Sequence, residues 1–447
     1  MKKKSADKNV SPDIVVAGGG WAGLAAAVKL TSAGYKPRLI EASPTLGGRA
    51  RSITIDNKQL DNGQHIFLGG YKNTLELLHL LQLRESDLFL RKPLKLTVRN
   101  QSNNFQIKAA RLPSPFHMVF ALAFAKGLNI NDKWIISQCW LKMLACRFKL
   151  EPDITVLDYL TQHKQSDYII KVFWEPLCLG ALNTLTNLAS MQVFLTVLQK
   201  SFTGSNRNSN ILLAKKCLGD ILPIPATNYI RSGNGIVTTN ERLKNISIQD
   251  NAVHKIETNK NNLKVQHLIL ATPFQQTLSL LLSAHIETEV ITQLQKYSQE
   301  PIVTLYLQYP AVIQIKDDML GLTDTLTQWL IDRKSCGQPG LIAAIVSARG
   351  PHMNMDKTTL TQAIISEIKT QFPQWPDPEA SYLIREKNAT FACFNEINHQ
   401  RPKSGNIGHN IWLAGDYLDT SLPATIEGAV SSGLECATKL IQAIEEY

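Results

Sequence analysis

Several features are missing from this sequence, and each absence narrows what the chain can be. It has no C-x-x-C pair, and its seven cysteines, at 139, 146, 178, 217, 336, 393 and 436, are odd in number and scattered. That argues against a disulfide framework or a thiolate zinc site, so no metal is expected and a reducing, cytoplasmic compartment is. No run reaches the ~18–20 uninterrupted apolar residues of a membrane span. The nearest, Phe116 to Ala125, is too short. The opening MKKKSADKNVSPD carries the positive charge of a secretory signal without an apolar stretch behind it, so export is not expected. There is no zinc finger, RRM or aromatic–basic ladder, so nucleic acid is not an expected partner. The 47 Lys+Arg against 37 Asp+Glu, a net +10, read as solvated surface with some attraction for an anionic membrane face. A composition of 44% hydrophobic and 19% charged residues excludes disorder or a fibrous repeat, and 447 residues suggest two to three domains.

What is present begins with Asp13 to Ala17, a short β-branched run. It leads directly into Gly18, Gly19, Gly20, Trp21, Ala22 and Gly23, then the Ala-rich stretch Leu24 to Leu30. After Gly34, Lys36 to Glu41 reads as a second strand. Strand, glycine turn, helix and strand in about thirty residues make a dinucleotide-binding unit. Gly18 permits the tight turn, Gly20 lets the backbone approach a pyrophosphate, and Gly23 lets the helix lie close on the sheet. The helix start at Trp21 and Ala22 offers free N–H groups and the positive end of the helix dipole to phosphates. Glu41 ends the second strand 18 residues after Gly23. A carboxylate there can accept both hydroxyls of an adenosine ribose and would repel a 2′-phosphate, so NADP is disfavoured.

Ser43 to Ser52 then carries the doublet Gly47-Gly48 followed by Arg49, which brings the backbone close to a ligand and sets a guanidinium beside it. This resembles the second fingerprint of the glutathione-reductase-like flavoproteins, in particular the amine oxidase and phytoene desaturase superfamily, and implies FAD as the cofactor. A matching string lies near the other end: Ile411 to Leu413 runs into Gly415-Asp416, followed by Leu422 to Ala429 and a helical run from Val430 to Glu445. On the resemblance, Gly415 and Asp416 contact the pyrophosphate and ribityl chain. Thr425 and Ile426 supply backbone donors to the flavin carbonyl edge at a helix N-terminus, where the dipole favours the negative charge of reduced flavin. Gly48, Arg49, Gly63, Gln64 and an apolar Leu243 against the adenine complete the implied set.

The middle of the chain, 113–200, reads as helical and aromatic-rich, and Gly204 to Asn210 predicts a flexible loop. Short strands are predicted at Val237–Ile246, Val253–Ile256 and Val265–Ala271, then at Ile302–Tyr306 and Leu341–Ser347, with a helix over Thr358–Gln371. The expected architecture is α/β. A discontinuous Rossmann-type FAD-binding domain takes residues 10–90, 205–273 and 390–447, and an inserted α+β substrate domain takes 91–204 and 274–389. A helix near 113–128 either contacts a membrane or belongs to the core.

Further strings are more discriminating: Asp61-Asn62-Gly63-Gln64-His65, Phe173-Trp174-Glu175-Pro176-Leu177, and Arg385-Glu386-Lys387 ahead of Ala389-Thr390-Phe391. From about residue 12 to 440 the chain resembles the hydroxysqualene dehydroxylase family of bacterial hopanoid pathways. That resemblance implies reductive removal of an allylic hydroxyl from a C30 isoprenoid, an oily tunnel drawn from the aromatic-rich middle, and a peripheral position at the cytoplasmic face of the inner membrane. The electron donor is not named by the sequence. Candidates for the general acid are His65, Glu175 and Asp61, while Arg385 and Lys387 read as supports for the flavin or for a domain contact. A carotenoid or phytoene desaturase shares the fold and runs in the oxidative direction. An amine oxidase would need an aromatic cage that the sequence does not display. A non-catalytic prenyl-lipid escort, the alternative outside enzymes, would be colourless.

Overall fold

A computed structural model of the chain describes residues 13–100, 104–110, 112–114 and 116–446. The opening basic segment on which the export expectation rests, 1–12, lies outside the described residues.

The first strand, Ile14–Ala17, is buried along its whole length, as an apolar β-branched run must be when both faces of a parallel sheet are covered. It pairs in parallel with Arg38–Ile40 on one side and His267–Leu270 on the other. Ile236–Thr238 extends the sheet outside Arg38–Ile40, and Ile411–Leu413 outside His267–Leu270, both in parallel. Gly405–Asn406 closes that edge antiparallel. One sheet thus draws on the beginning, middle and end of the chain. Its opening helix, Trp21–Ser32, buries nine of its 12 residues. The closing helix, Ile426–Glu445, lies directly on it: a Cβ added to Gly433 would stand 2.1 Å from the Ala22 carbonyl oxygen. The small residues of both helices permit this backbone contact.

After Arg49 the chain forms a hairpin, Ser52–Ile55 with Lys58–Asp61, whose tip residues Asp56 and Asn57 both have positive φ (48° and 60°), as the right-handed strand twist favours in two-residue turns. It delivers Asp61 to His65 beneath a second sheet of seven strands. In order these are Ala380–Phe391, Gln299–Gln308, Leu341–Ser347, Trp329–Asp332, Met319–Leu322, Lys95–Arg99 and Asn104–Lys108. Side chains alternate across this sheet. Val303, Leu305 and Leu307 pack with Leu360, Ile364 and Ile368 of the helix Lys357–Gln371, so Ile302, Thr304 and Tyr306 face the other way.

The middle is helical: Phe116–Ala123, Ile130–Ala145, Val156–Gln162, then a wide π-type turn Ile170–Trp174 running into Glu175–Leu182, and Met191–Phe202. The expected flexible loop is a tied 3-10 turn, Asn206–Ser209: Ser205 Oγ accepts from the Arg207 amide (3.2 Å), and the Arg207 carbonyl accepts from Arg91 Nη1 (2.9 Å). Composition marks a loop here, but the long-range bond from Arg91 that tethers it has no local signature.

Candidate active site

The two sheets enclose one cavity of about 650 Å³, into which the separated motifs converge. At one end lies the glycine turn. Gly18, at φ +114°, leaves no room for a side chain, since a Cβ there would be 2.4 Å from the Ala271 carbonyl oxygen. Gly20 is different: a Cβ on it would meet nothing nearer than 3.9 Å, the Gly48 Cα. The space beside it is therefore kept open as cavity. Gly20 precedes the opening helix, whose first intrahelical bond runs from the Leu24 amide to the Gly20 carbonyl (2.9 Å), leaving the amides of Trp21, Ala22 and Gly23 without intrahelical partners. Gly23 does not line the cavity. Its missing Cβ would sit 1.9 Å from the Gly18 carbonyl oxygen, so its part is close helix–strand packing. The Trp21 indole donates to the Ala50 carbonyl (2.8 Å) and pins the Gly47–Arg49 loop against the helix.

Glu41 lines the same end, together with Arg242 and Leu243. One carboxylate oxygen accepts from the Gly19 amide (2.6 Å), the other from the Ser43 amide (2.7 Å). Each oxygen keeps a further lone pair, so the carboxylate can still accept ribose hydroxyls.

Arg49 reaches across the cavity to the far end of the sequence. Its guanidinium pairs with Asp416 (2.5 Å) and donates to the Ala389 carbonyl (2.8 Å). Burial alone weakens that charge, but the Asp416 carboxylate outweighs it and Glu386 adds to it, so the Arg49 pKa is held above the ordinary value. Gly415 is fixed by its amide donating to Ser432 Oγ (2.9 Å). Buried Arg401 donates to the carbonyls of Asp416 (3.1 Å), Tyr417 (3.3 Å) and Leu422 (2.7 Å), and so shapes the loop that leads to Thr425. Thr425 caps the closing helix, its hydroxyl accepting from the Gly428 amide (3.0 Å), and Ile426 lines the cavity beside it. Glu427, buried in that first turn, accepts from the amides of Asn73 (2.9 Å) and Thr74 (3.0 Å), and so caps a neighbouring helix, Lys72–Leu80.

Of the three acid candidates only His65 lines the cavity. Its Nδ1 lies 3.1 Å from the Gly63 carbonyl. A carbonyl can only accept, so Nδ1 carries the proton and Nε2 is left as an acceptor. Burial lowers the His65 pKa, with Asp61 opposing and Arg49 and Arg333 reinforcing the shift, so the ring is neutral near pH 7. That suits it to accept or orient rather than to serve as a charged acid.

Asp61 is placed differently from His65. It does not line the cavity. It is paired with Arg333 (2.8 Å), both side chains only 2% exposed, and it accepts from the Leu218 amide (2.8 Å). A carboxylate so engaged is a structural anchor. Through the same guanidinium it holds Gln64, whose Oε1 accepts from Arg333 Nη1 (2.9 Å), in the cavity wall. Glu175 is half-buried, and burial raises its pKa, with Lys171 opposing. It stands outside the lining, just ahead of Pro176 and Leu177, which belong to it. Arg385, expected to support the flavin or a domain contact, does not line the cavity but donates to the Met355 carbonyl (2.9 Å), whereas its neighbour Glu386, held by Asn62 (3.3 Å), lines the wall.

The remainder of the wall is apolar. Ile302, Ile345, Ile384, Met319 and Ile331 come from the seven-stranded sheet, and the aromatic-rich middle adds Phe194 and Phe202. Leu177, Leu179, Val197 and Leu198 line it as well, so the helical middle and the sheet share the wall of the tunnel. Sequence reasoning missed three polar groups here. Thr304 Oγ1 and Trp329 Nε1 are buried at the wall without a hydrogen-bond partner among the described residues. Lys200, also in the lining, has its pKa lowered by burial, with Glu427 opposing. Unpartnered buried polar atoms are the one signal that reveals the first two, and only coordinates supply it.

The flavin-containing amine oxidoreductase family matches residues 21–441. A hydroxysqualene dehydroxylase of Zymomonas mobilis is 26% identical over 435 residues, which cover 94% of this chain and 97% of that protein. A 15-cis-phytoene desaturase of Arabidopsis thaliana is 23% identical, over 99% of this chain and 82% of its own. In fold, the chain is similar to cyclohexylamine oxidase from Brevibacterium oxydans, with a TM-score of 0.70 at 15% identity, over 98% of this chain and 100% of that one.

Proposed function

This chain belongs to the flavin-containing amine oxidoreductase family and is an FAD-dependent oxidoreductase, and from that premise we propose that its reaction is the reductive dehydroxylation of hydroxysqualene to squalene. The observation that carries this is the joining, in one cavity, of the nucleotide end at Gly20 and Glu41 to a wall of Ile302, Ile345 and Ile384. A dinucleotide cradle opening on an apolar chamber suits a long hydrocarbon substrate. The 26%-identical hydroxysqualene dehydroxylase, aligned over nearly its whole length, supports the specific substrate.

The residues present fit FAD. Gly20 keeps open the space a Cβ would fill, Glu41 retains acceptor capacity, and the residues that open two helices, Trp21 and Ala22 on one and Ile426 on the other, line the cavity. The FAD-binding unit comprises 10–90, 205–273 and 390–447, and the substrate unit 91–204 and 274–389. Gly18, Gly48, Gly63 and Leu243 shape the cofactor's seat, with Arg49, Gln64, Asp416, Thr425 and Ile426 holding its polar groups.

The reaction breaks an allylic C–O bond, forms a C–H bond, and releases the hydroxyl as water, consuming one hydride and one proton. Bound, reduced FAD is the hydride source. The protein's share is to hold the substrate, exclude water from the developing allylic cation and deliver the proton. Neutral His65 orients the hydroxyl through Nε2. The proton comes from Lys200, which lines the cavity and whose lowered pKa eases its release; the alternative is Glu175, which burial keeps protonated to higher pH than an ordinary carboxyl but which must turn inward past Pro176 to donate. The enzyme works at the cytoplasmic face of a membrane, where such a substrate resides. Among the described residues no helix is long and apolar enough to cross a membrane.

The test is anaerobic. Photoreduced holoenzyme given hydroxysqualene in detergent is expected to reoxidise its flavin and yield one squalene per flavin by mass spectrometry. Glu175→Gln and Lys200→Met should retain flavin, and the true acid's variant alone should lose turnover. The 23%-identical phytoene desaturase supplies the competing arm. Oxidised enzyme that desaturates phytoene, with no squalene formed from hydroxysqualene by the reduced enzyme, overturns the proposal.

A further inference from the structure

Exposed large apolar side chains are not spread evenly. Thirteen are exposed among the described residues, and six of them lie between 116 and 141: Phe116 (58%), Phe120 (45%), Phe124 (73%), Ile130 (84%), Trp134 (64%) and Leu141 (51%). They form two helical stripes. Phe116, Phe120 and Phe124 are spaced by four along Phe116–Ala123 and its last turn. Ile130, Trp134 and Leu141, at intervals of four and seven, share one face of Ile130–Ala145. The opposite faces are in the core: Met118, Ala121 and Leu122 on the first helix, and Ile136, Cys139, Trp140 and Met143 on the second. The two helices pack on one another, so the stripes belong to one part of the surface. A stable fold does not require these outward residues to be apolar.

Along the segment that carries the stripes the charges have one sign, although exposed Asp167 stands nearby, between Ser166, which bonds Asp132, and Tyr168, whose hydroxyl donates to the Gly127 carbonyl (3.0 Å). Between 104 and 149 stand Lys108, Lys126, Lys133, Lys142, Arg147 and Lys149 among the described basic residues. The sole acidic residue there, Asp132, is buried and accepts from Ser166 Oγ (3.2 Å). A second copy of the same patch would meet like charge with like, whereas an anionic lipid surface complements it. The patch also lies one helix away from the site. Trp140, on the inner face, packs edge-on against Phe202 (5.8 Å between ring centroids), and Phe202 lines the cavity.

We propose that these two helices dock the protein on an anionic bilayer, their Phe, Ile and Trp side chains entering the interface and the surrounding lysines meeting lipid headgroups, so that the cavity wall at Phe202 faces the membrane that holds the substrate. This rests on the isoprenoid reading for the substrate's location, but the docking itself can be tested without turnover. Holoenzyme is sedimented with vesicles of phosphatidylglycerol and phosphatidylethanolamine, and separately with phosphatidylcholine alone. Binding is expected to favour the anionic vesicles and to weaken with added salt. Phe124→Ser/Trp134→Ser should reduce partitioning about tenfold or more, as the loss of two large apolar side chains from the interface requires. It should leave flavin content and activity on detergent-dispersed hydroxysqualene unchanged. A parent protein that ignores both vesicle types, a double variant that binds as well as the parent, or a parent dimer that light scattering shows falling apart in the variant overturns the proposal. Vesicle binding without squalene formation by the parent would instead refute the reaction and leave the docking standing.

Discussion

The Asp61–Arg333 pair allows a sharp test of how the cavity wall is held. Both side chains are 2% exposed and 2.8 Å apart, and Arg333 also orients Gln64 (2.9 Å). Arg333→Met fills much of the same volume but leaves the Asp61 carboxylate buried without its countercharge. Removing one partner of such a pair costs about 3–5 kcal/mol. Asp61 keeps the Leu218 amide (2.8 Å) and Ser52 Oγ (3.3 Å), so the lower end applies. At ~2 °C per kcal/mol for large domains, the unfolding midpoint should fall by about 6 °C. The double variant Asp61→Asn/Arg333→Met removes both charges, and the side-chain carbonyl it leaves at position 61 would still accept from the Leu218 amide. It should recover most of the loss, since replacing a whole buried pair is often close to neutral. Differential scanning fluorimetry on flavin-loaded protein, with free flavin measured after gel filtration, reports both stability and the seating of Gln64. A double variant destabilised by the sum of the two single changes would show no coupling, and the pair could not then be the anchor described.

Two other outcomes follow from the cavity. Gly20→Val should fold, because the nearest atom to its Cβ is 3.9 Å away, yet elute colourless; a yellow variant with normal flavin content would remove Gly20 from the cofactor's seat. Burial lowers the pKa of His65, His117, His267 and His352. The unfolded chain takes up protons near pH ~6.5 where the folded chain does not, so stability is full above that pH and declines as the pH falls toward the folded-state values. The midpoint at pH 5.5 should lie below that at pH 7.5, and His65→Gln should reduce the difference; a midpoint that rises on acidification would contradict the shifts.

The glycine unit was legible because its chemistry is local: Gly18, Gly20 and Gly23 are fixed by backbone approach within a few residues, and Glu41 by where the strand must end. The meeting of Arg49 with Asp416 was legible only through resemblance, since nothing in either string names the other. The setting of Asp61 was not legible, because its partner stands 272 residues away without a local pattern. The sheet's share of the cavity wall was hidden for a different reason. Along Gln299–Gln308 both faces are apolar, Val303 and Leu305 against a helix and Ile302 toward the cavity, so a period of two cannot say which face is core. The helix Ile130–Ala145 repeats the problem at a period of 3.6, with one apolar stripe inside and one outside. Thr304 and Trp329 look ordinary in any strand.

The contact of the closing helix on the opening one, Gly433 against Ala22, has a consequence for biosynthesis. Gly18 and Thr425 are separated by about 400 residues, so at ~5–20 residues per second a ribosome needs about 20–80 s to bring out the second after the first. Until it ends the Rossmann sheet lacks its Ile411–Leu413 strand, and the chamber's isoleucines, as each emerges, stand without the closing helix and open to other nascent chains. Chaperone dependence during expression, and rescue of yield by slower growth at low temperature, would be the cellular signature of a site that its own last helix must complete.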